Sequence, residues 1–305
     1  MNYLVVGLGK SGISACELLV RNGDNVFAYD ENHKKAKELL DLKILNEKVV
    51  LLKKLKTQFL KTINKIVISP GVPTKKFLAV ANKFSIEIIS ELELGFNFCP
   101  SKILAITGTN GKTTTTKLLG NILKCDKQDV FVVGNVGTAI TSCVLEMKES
   151  SVAVCEVSNF QLENIKKFKP YIAAFLNIAP DHMDRYKCFD DYFNAKLRIF
   201  ENMAKDDVAV LNYDDALLRF YTDDLICDKL YFSLNKLPKD VFGAYLDDNK
   251  ICFNINEKEV FEIEVDRVKI RGNHNLQNIM CAGIMALKYG VKPQSLQKGI
   301  ETFVG

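Results

Sequence analysis

The stretch from Lys102 to Thr114, KILAITGTNGKTT, constrains this 305-residue chain more than any other. An apolar run of strand length stops at a glycine-rich turn, and helix-period residues follow from about Lys112 to Lys124. A strand that feeds a helix through such a turn commits its neighbourhood to a parallel α/β sheet, because the helix must pack back on the sheet as a crossover. The same residues carry chemistry. Backbone N–H groups across Gly108, Thr109, Asn110, Gly111, Lys112, Thr113 and Thr114 are spaced to wrap phosphate oxygens. Lys112 adds a point charge for the β- and γ-phosphates of ATP, and the Thr113 hydroxyl reaches Mg2+. The common G-x-x-x-x-G-K-T string needs glycine where this chain has Ile106, so the loop is a variant.

A second glycine turn, Gly7-Leu8-Gly9-Lys10-Ser11-Gly12, joins the apolar run Tyr3–Val6 to a helical pattern from Ser11 to Arg21. Glycines there let a helix N-terminus approach an anion, and Asp30, at the end of the strand pattern Asn25–Tyr29, places a carboxylate near a ribose or base. A tight structural turn, an NAD site and a uridine diphosphate site all fit these residues. Strand patterns recur at Lys65–Ser69, before the turn Ser69-Pro70-Gly71-Val72, and at Ile86–Ile89. A helix is expected from Glu91 to about Phe98, and Cys99-Pro100-Ser101 reads as a linker.

Beyond it, buried strands are expected at Val130–Val133, Val152–Glu156, Ile172–Asn177 and Val208–Leu211, with helices over Asp191–Ala204, Asn275–Tyr289 and Ser295–Thr302. Residues 230–265 read as shorter β segments. The fold class is α/β: a Rossmann-like parallel-sheet domain over residues 1–98, then a P-loop ATPase-like α/β domain over 99–305.

Composition removes several functions. Lysine and arginine total 41 against 37 acidic residues, a net charge of +4, and the basic residues form no stripe, which argues against a nucleic-acid groove. No apolar run approaches the ~18 residues of a membrane span. Nine cysteines without a C-x-x-C pair argue against a disulfide framework or zinc ribbon. A strand pattern that begins at once after Met1 leaves no room for a signal peptide. The expectation is a cytoplasmic protein.

Three further candidates fall where strand patterns end, the place where ligands meet open α/β sheets. Glu156 ends one strand and leads into Val157-Ser158-Asn159, a carboxylate suited to Mg2+. Asn177 to Tyr186 gathers His182, Asp181, Asp184 and Arg185 at the end of the next. Asn275 and Asn278, at i and i+3 on a helix start, serve equally as capping residues or as amides facing a nucleotide base. Lys196, by its surroundings alone, is a solvated helix lysine.

Taken in order, GLGKSG, SPGV, TGTNGKTT, GNVG, EVSNFQLE, NIAPDHMDRY, AKLRIFEN and GNHNLQN are similar to the Mur ligase family over essentially the whole chain, and most to its D-glutamate-adding members, with the L-alanine-adding members as the nearest alternative. The resemblance implies an ATP-dependent amide-forming ligase of peptidoglycan precursor synthesis, acting on UDP-N-acetylmuramoyl-L-alanine and D-glutamate. It places Lys10, Ser11, Asp30, Glu31, Asn32, Ser69, Pro70 and Gly71 near the UDP, although Glu31 and Asn32 stand where family members often carry Thr-Arg-like residues. It places Asn135 and Ser158 at the muramoyl-alanine end, and Asn275 and Asn278 near adenosine. Thr113 and Glu156 would serve one Mg2+, His182 and Lys196 a second, with Lys196 carbamylated. Lys112, His182 and Lys196 would be the catalytic residues, in a monomer. Family members carry a third domain that contacts D-glutamate. The chain ends at a string resembling the end of the middle domain, so the expectation is a truncated protein that binds its substrates without completing ligation. A nicotinamide oxidoreductase and a non-catalytic UDP-sugar or nucleotide-binding module remain the rival readings.

Overall fold

The computed structural model describes residues 1–43, 45, 47–135, 137–256 and 260–305, with Leu42 described by its backbone alone. The chain divides into two compact units. One holds Met1–Pro100, Gly137–Glu146 and Phe160–Phe168, the other Ser101–Val136, Met147–Asn159 and Lys169–Gly305.

The first unit runs β1 (Asn2–Val6), α1 (Lys10–Arg21), β2 (Asn25–Tyr29), α2 (His33–Leu42), β3 (Val49–Leu51), α3 (Thr57–Leu60), β4 (Lys65–Ile68), α4 (Lys75–Phe84), β5 (Glu87–Ser90) and α5 (Glu91–Phe98). Its sheet has the order β3-β2-β1-β4-β5, parallel throughout. Val6 pairs with both Tyr29 and Ile68, so Gly7, Asp30 and Ser69 emerge side by side where the strand order reverses. That reversal is where α/β sheets open a crevice. One face of the sheet buries Leu4, Val6, Ile66, Ile68 and Ile88 under Leu60 of α3 and Phe77 and Ala81 of α4.

The helix α5 explains why two later segments belong to this unit. Ser90 caps it, accepting the Glu93 N–H at 3.2 Å, and its first turn holds Glu91 and Glu93, each 1% exposed. Glu91 Oε1 accepts the Thr141 N–H at 2.9 Å and its hydroxyl at 2.6 Å. Glu93 accepts the N–H groups of Lys166, Lys167 and Phe168, each at 2.9 Å. Buried carboxylates need such donors, and here the donors are the backbones of 137–146 and 160–168. Burial still holds the Glu91 carboxyl above the usual carboxylate range.

The second unit contains β6 (Lys102–Thr107), α6 (Lys112–Cys125), β7 (Val130–Gly134), β8 (Val152–Glu156), β9 (Ile172–Phe175), α8 (Phe189–Leu197), β10 (Val208–Asn212), α9 (Ala216–Tyr221), β11 (Asp228–Ser233), β12 (Gly243–Asp247), β13 (Lys250–Asn254), β14 (Val260–Glu264), α10 (Asn273–Tyr289) and α11 (Pro293–Thr302), while the short α7 (Asn159–Leu162) belongs, beyond Asn159, to the first. Its nine strands follow the order β14-β13-β12-β11-β10-β9-β6-β8-β7. The run from β12 to β7 is parallel, and only β13 and β14 turn antiparallel. Leu118, Leu119, Ile122 and Leu123 of α6 pack with Ile279, Met280 and Ile284 of α10 and Leu296 and Ile300 of α11 in one apolar core. Among the described residues, no helix is long and apolar enough to cross a membrane.

The expected helix over Asp191–Ala204 is shorter, because α8 gives way to a 3-10 turn at Arg198–Phe200. The Asp207 carboxylate takes the Ala204 N–H at 2.7 Å and ties the following chain into a turn ahead of β10. Helix α10 starts two residues earlier than expected, at Asn273, so Asn275 lies inside its first turn and is not the cap.

Candidate functional site

In the second unit, β6 delivers the turn 108–111 at the C-terminal edge of the sheet, between the ends of β8 and β9. Asn177, just past β9, holds this turn from outside. Its carbonyl accepts the Thr109 N–H at 3.0 Å, its Oδ1 accepts the Asn110 N–H at 2.9 Å, and its Nδ2 donates to the Asn110 carbonyl at 3.1 Å. Gly111 has φ +84°, and a Cβ there would lie 2.4 Å from Asn278 Oδ1, so glycine lets the loop sit against α10. Helix α6 begins at Lys112, leaving its first N–H groups facing the turn.

Lys112 folds back onto the loop, donating to the carbonyls of Gly108 at 2.9 Å and Thr109 at 2.8 Å. Lys196 reaches the same Gly108 carbonyl at 2.9 Å and is 1% exposed. Two ammonium groups therefore share one carbonyl. Burial, and next the Lys112 charge, push the Lys196 ammonium down to about 7, with Asp181 acting the other way. Lys112 is lowered as well, mainly by burial, against the attraction of Glu156 and Asp181. Two lysines thus converge at a helix start, only partly offset by Glu156 and Asp181, an arrangement that attracts polyanions.

Glu156, at the end of β8 and 2% exposed, faces it. Its Oε2 accepts the Thr113 hydroxyl at 2.8 Å and its Oε1 the Asn135 Nδ2 at 3.2 Å. A carboxylate and a hydroxyl already in contact are hard oxygen donors of the kind Mg2+ takes, so these residues fit that ion. As an ammonium, Lys196 is no ligand for a cation. Among the described residues no group of three or more His, Cys, Asp or Glu is placed to hold a metal.

The segment after β9 approaches the glycine turn through Thr109, whose Oγ1 contacts the Ala179 N–H at 3.0 Å and the Ala179 carbonyl at 3.2 Å. His182 follows with φ +53°, a left-handed conformation that costs a non-glycine residue energy and is concentrated at functional sites. Its ring lies 3.5 Å from Asp181 and is 44% exposed. Ser158 is buried, and its neighbour Asn159 donates to the Tyr186 hydroxyl at 2.6 Å. Asn275 donates to the Arg271 carbonyl at 2.9 Å and accepts from Asn278 at 3.3 Å, so both amides are arranged together beside Gly111.

In the first unit, Gly7, Asp30, Glu31 and Gly71 line a small cavity of about 140 Å³. Val72, Lys76 and Phe77 are also part of its lining. Lys76 pairs with Glu31 at 2.7 Å. Both Asp30 oxygens are engaged, by the N–H groups of Leu8 at 2.6 Å and Asn32 at 2.7 Å. Ser69 donates to the Gly7 carbonyl at 2.6 Å, and Asn32 caps α2 by accepting the Lys35 N–H at 3.2 Å. Lys10 lines a separate groove of about 510 Å³ with Ile13, Lys35 and Leu39. Ser11 sits in the first turn of α1. A Cβ on Gly12 would lie 1.9 Å from the Gly7 carbonyl oxygen, so the turn exists only with glycine there. Gly12→Ala is expected to destabilise the first unit by about 2–4 kcal/mol. Urea unfolding checks this, and an unchanged midpoint would refute this account of the turn.

Residues 106–286 match the Mur ligase middle domain, and residues 1–90 match the N-terminal domain of MurD-like Mur ligases. The chain belongs to the Mur ligase family. It is 40% identical over 309 residues to the UDP-N-acetylmuramoylalanine--D-glutamate ligase of Thermoanaerobacter pseudethanolicus, covering 99% of this chain and 66% of that protein. The enzyme of the same name from Lachnoclostridium phytofermentans is 40% identical over 306 residues, with 99% and 67% covered. The chain thus spans about two thirds of these relatives' length. Among solved structures, the UDP-N-acetylmuramate:L-alanyl-gamma-D-glutamyl-meso-diaminopimelate ligase of Neisseria meningitides superposes with TM-score 0.67 at 15% identity, over 99% of this chain and 98% of that one. The UDP-N-acetylmuramate-alanine ligase MurC of Thermotoga maritima gives 0.58 at 19% identity, over 100% and 69%. These two likenesses establish the shared α/β fold.

Within this Mur ligase, several residues of the site escaped the sequence reading. Asn177 holds the glycine turn 108–111, Lys76 and Phe77 line the first cavity, and Tyr192 contacts Thr109 at 3.1 Å. Asn177 and Tyr192 lie within or beside stretches already singled out, and their position on the strand end and one helical turn before Lys196 was the available signal. Lys76 and Phe77 carry no such signal, since α4 meets the cavity only through the sheet topology.

Proposed function

We propose that this chain carries the UDP-substrate and ATP sites of a cytoplasmic ligase that joins D-glutamate to UDP-N-acetylmuramoyl-L-alanine. The observation that carries the reading is the convergence of Lys112, Thr113, Glu156 and Lys196 on one phosphate loop, in a chain 40% identical to proteins of that name. In this reading the alanine carboxylate attacks the γ-phosphorus of ATP, ADP departs, and an acyl phosphate forms. The D-glutamate amine then adds to the acyl carbon, phosphate leaves, the amine loses a proton, and an amide remains. Both partners of the first step are anions, so their mutual repulsion is the barrier that the site must lower.

Lys112 serves by leaving the Gly108 and Thr109 carbonyls for the phosphates. Thr113 and Glu156 would hold Mg2+, which when bound would offset the charge of the phosphate oxygens. Asn275 and Asn278 face the adenosine. Gly108 to Thr114 form the phosphate cradle. Asn135 and Ser158 orient the muramoyl-alanine end. Lys10, Ser11, Asp30, Glu31, Asn32 and Ser69 to Gly71 surround the UDP. A near-neutral Lys196 retains a free amine fraction at pH 7, which suits reaction with CO2 to a carbamate and, with His182, a second metal site. The match of residues 1–90 to the N-terminal domain of MurD-like Mur ligases favours UDP over NAD at the Asp30 carboxylate.

Calorimetric titration tests the reading. UDP-N-acetylmuramoyl-L-alanine should bind the chain more tightly than UDP-N-acetylmuramate, and NAD should not bind. Equal affinity for the two UDP compounds would move the assignment to an alanine-adding ligase or a non-catalytic module, and NAD binding alone would overturn it.

A further inference from the structure

Tyr192 stands where three parts of the nucleotide site meet. It is 1% exposed and lies on α8, one helical turn before Lys196. Residues at i and i+4 share a helix face, and Lys196 Nζ lies 4.9 Å from the Tyr192 ring centroid, within cation–π range. At the far end of the ring, the hydroxyl is 3.1 Å from Thr109 Oγ1. That Thr109 oxygen also meets the Ala179 N–H at 3.0 Å and the Ala179 carbonyl at 3.2 Å.

A hydroxyl has one proton to give and two lone pairs to receive. The Thr109 proton goes to the Ala179 carbonyl, because a carbonyl can only accept. The Ala179 N–H takes one lone pair. The remaining lone pair is filled by the Tyr192 O–H, so Tyr192 is the donor. Its ring also packs edge-on against Tyr186, at 5.5 Å and 62°, on the segment that bears His182. One buried side chain thus touches the phosphate loop, the buried amine and the segment after β9.

We propose that Tyr192 is a positioning residue of the phosphate site. Its ring seats the Lys196 amine and its hydroxyl holds Thr109, so that loop and lysine keep one geometry when the triphosphate arrives. The inference rests on the reading of this loop as a nucleotide-phosphate site. It follows that the contribution of Tyr192 scales with the phosphates of the ligand and not with the nucleoside.

The experiment titrates the β,γ-imido analogue of ATP with Mg2+, AMP, and UDP-N-acetylmuramoyl-L-alanine into the 305-residue chain and its variants. Tyr192→Phe keeps the ring and loses the donor. It should weaken the ATP analogue about three- to tenfold, the range of one hydrogen bond, with AMP and the UDP compound unchanged. Thr109→Val should show a comparable loss, and the double variant should be no worse than Thr109→Val, since both changes break the same contact. Tyr192→Leu should lose more than Tyr192→Phe because the seat of Lys196 also goes. Unchanged affinity of Tyr192→Phe for the ATP analogue, or additive losses in the double variant, would overturn the inference alone. So would a parallel fall in all three affinities and in the unfolding midpoint, the mark of a purely structural side chain. Failure of the unsubstituted chain to bind the ATP analogue would overturn the phosphate-site reading and this inference with it.

Discussion

Lys112→Ala is expected to weaken ATP binding by about 10²–10³-fold, equivalent to about 3–4 kcal/mol, while leaving the chain as stable as before or slightly more so. The two halves of that expectation have one cause. In the absence of a phosphate the Lys112 ammonium is satisfied by the Gly108 and Thr109 carbonyls but faces a second ammonium across the shared oxygen. Removing it deletes a repulsion that pushes Lys196 down. The Gly108 carbonyl keeps Lys196 as its donor, and the Thr109 carbonyl, which does lose Lys112, belongs to a half-buried residue that water reaches, so the cost of the lost contact is small. A polyanion loses much more. It loses the charge that would travel from loop to phosphate, and a charge-assisted hydrogen bond in a water-poor site is about twice as strong as a neutral one. Titration with ATP and Mg2+, together with urea unfolding, separates the two effects. An affinity within threefold of the unsubstituted chain would mean that Lys112 stays on its own loop and is not a phosphate ligand.

The legible parts of the molecule were those where local signals and global topology coincide. The strand Lys102–Thr107 and the helix Glu91–Phe98 are found where the apolar runs and turn residues place them, and helix α6 starts at Lys112 as expected. The chain between Asp30 and Lys65 was not legible. There α2 shows only a narrow apolar stripe through Ala36 and Leu40 among lysines, β3 has three residues and α3 four, too short for either period to register. Lys196 illustrates a different limit. Its neighbours along α8 suggest a solvated lysine, yet the fold buries it, because the sheet order sets β9 beside β6 and brings α8 under the glycine turn 108–111. Nothing local to residues 189–200 encodes that. The anchoring of 137–146 and 160–168 by Glu91 and Glu93 is of the same kind. Two acidic residues in a first helical turn read as dipole complements, and their burial against backbone N–H groups some 50 and 75 residues away emerges only in three dimensions.

Lys196→Met should make the chain more stable and unable to form a carbamate at this position, with a gain in stability that depends on pH. An ordinary lysine holds its proton to about 10.5, whereas Lys196 is pushed down to about 7 by burial and by Lys112. The unfolded chain therefore binds more protons than the folded one between those two values, and stability rises with pH across that window. Below about pH 7 the folded state carries the full cost of a buried cation, on the order of several kcal/mol at 1.36 kcal/mol per pKa unit. Methionine fills a similar volume without charge, and Lys112 still donates to the Gly108 carbonyl at 2.9 Å, so the acceptor stays satisfied. Replacing a poorly compensated buried charge by an apolar side chain commonly stabilises. The expected gain is about 1–3 kcal/mol at pH 6, shrinking towards pH 9, by urea unfolding in CO2-depleted buffer. A gain that does not change with pH would show that Lys196 is not the titrating group. Labelled bicarbonate supplies the other arm: the unsubstituted chain should acquire a carbamate carbon resonance that Lys196→Met lacks. Its absence in both would leave Lys196 as a buried amine and remove the second metal site. A carbamate found at Lys196 would supply the reason for keeping a destabilising lysine there, since the methionine variant cannot form one.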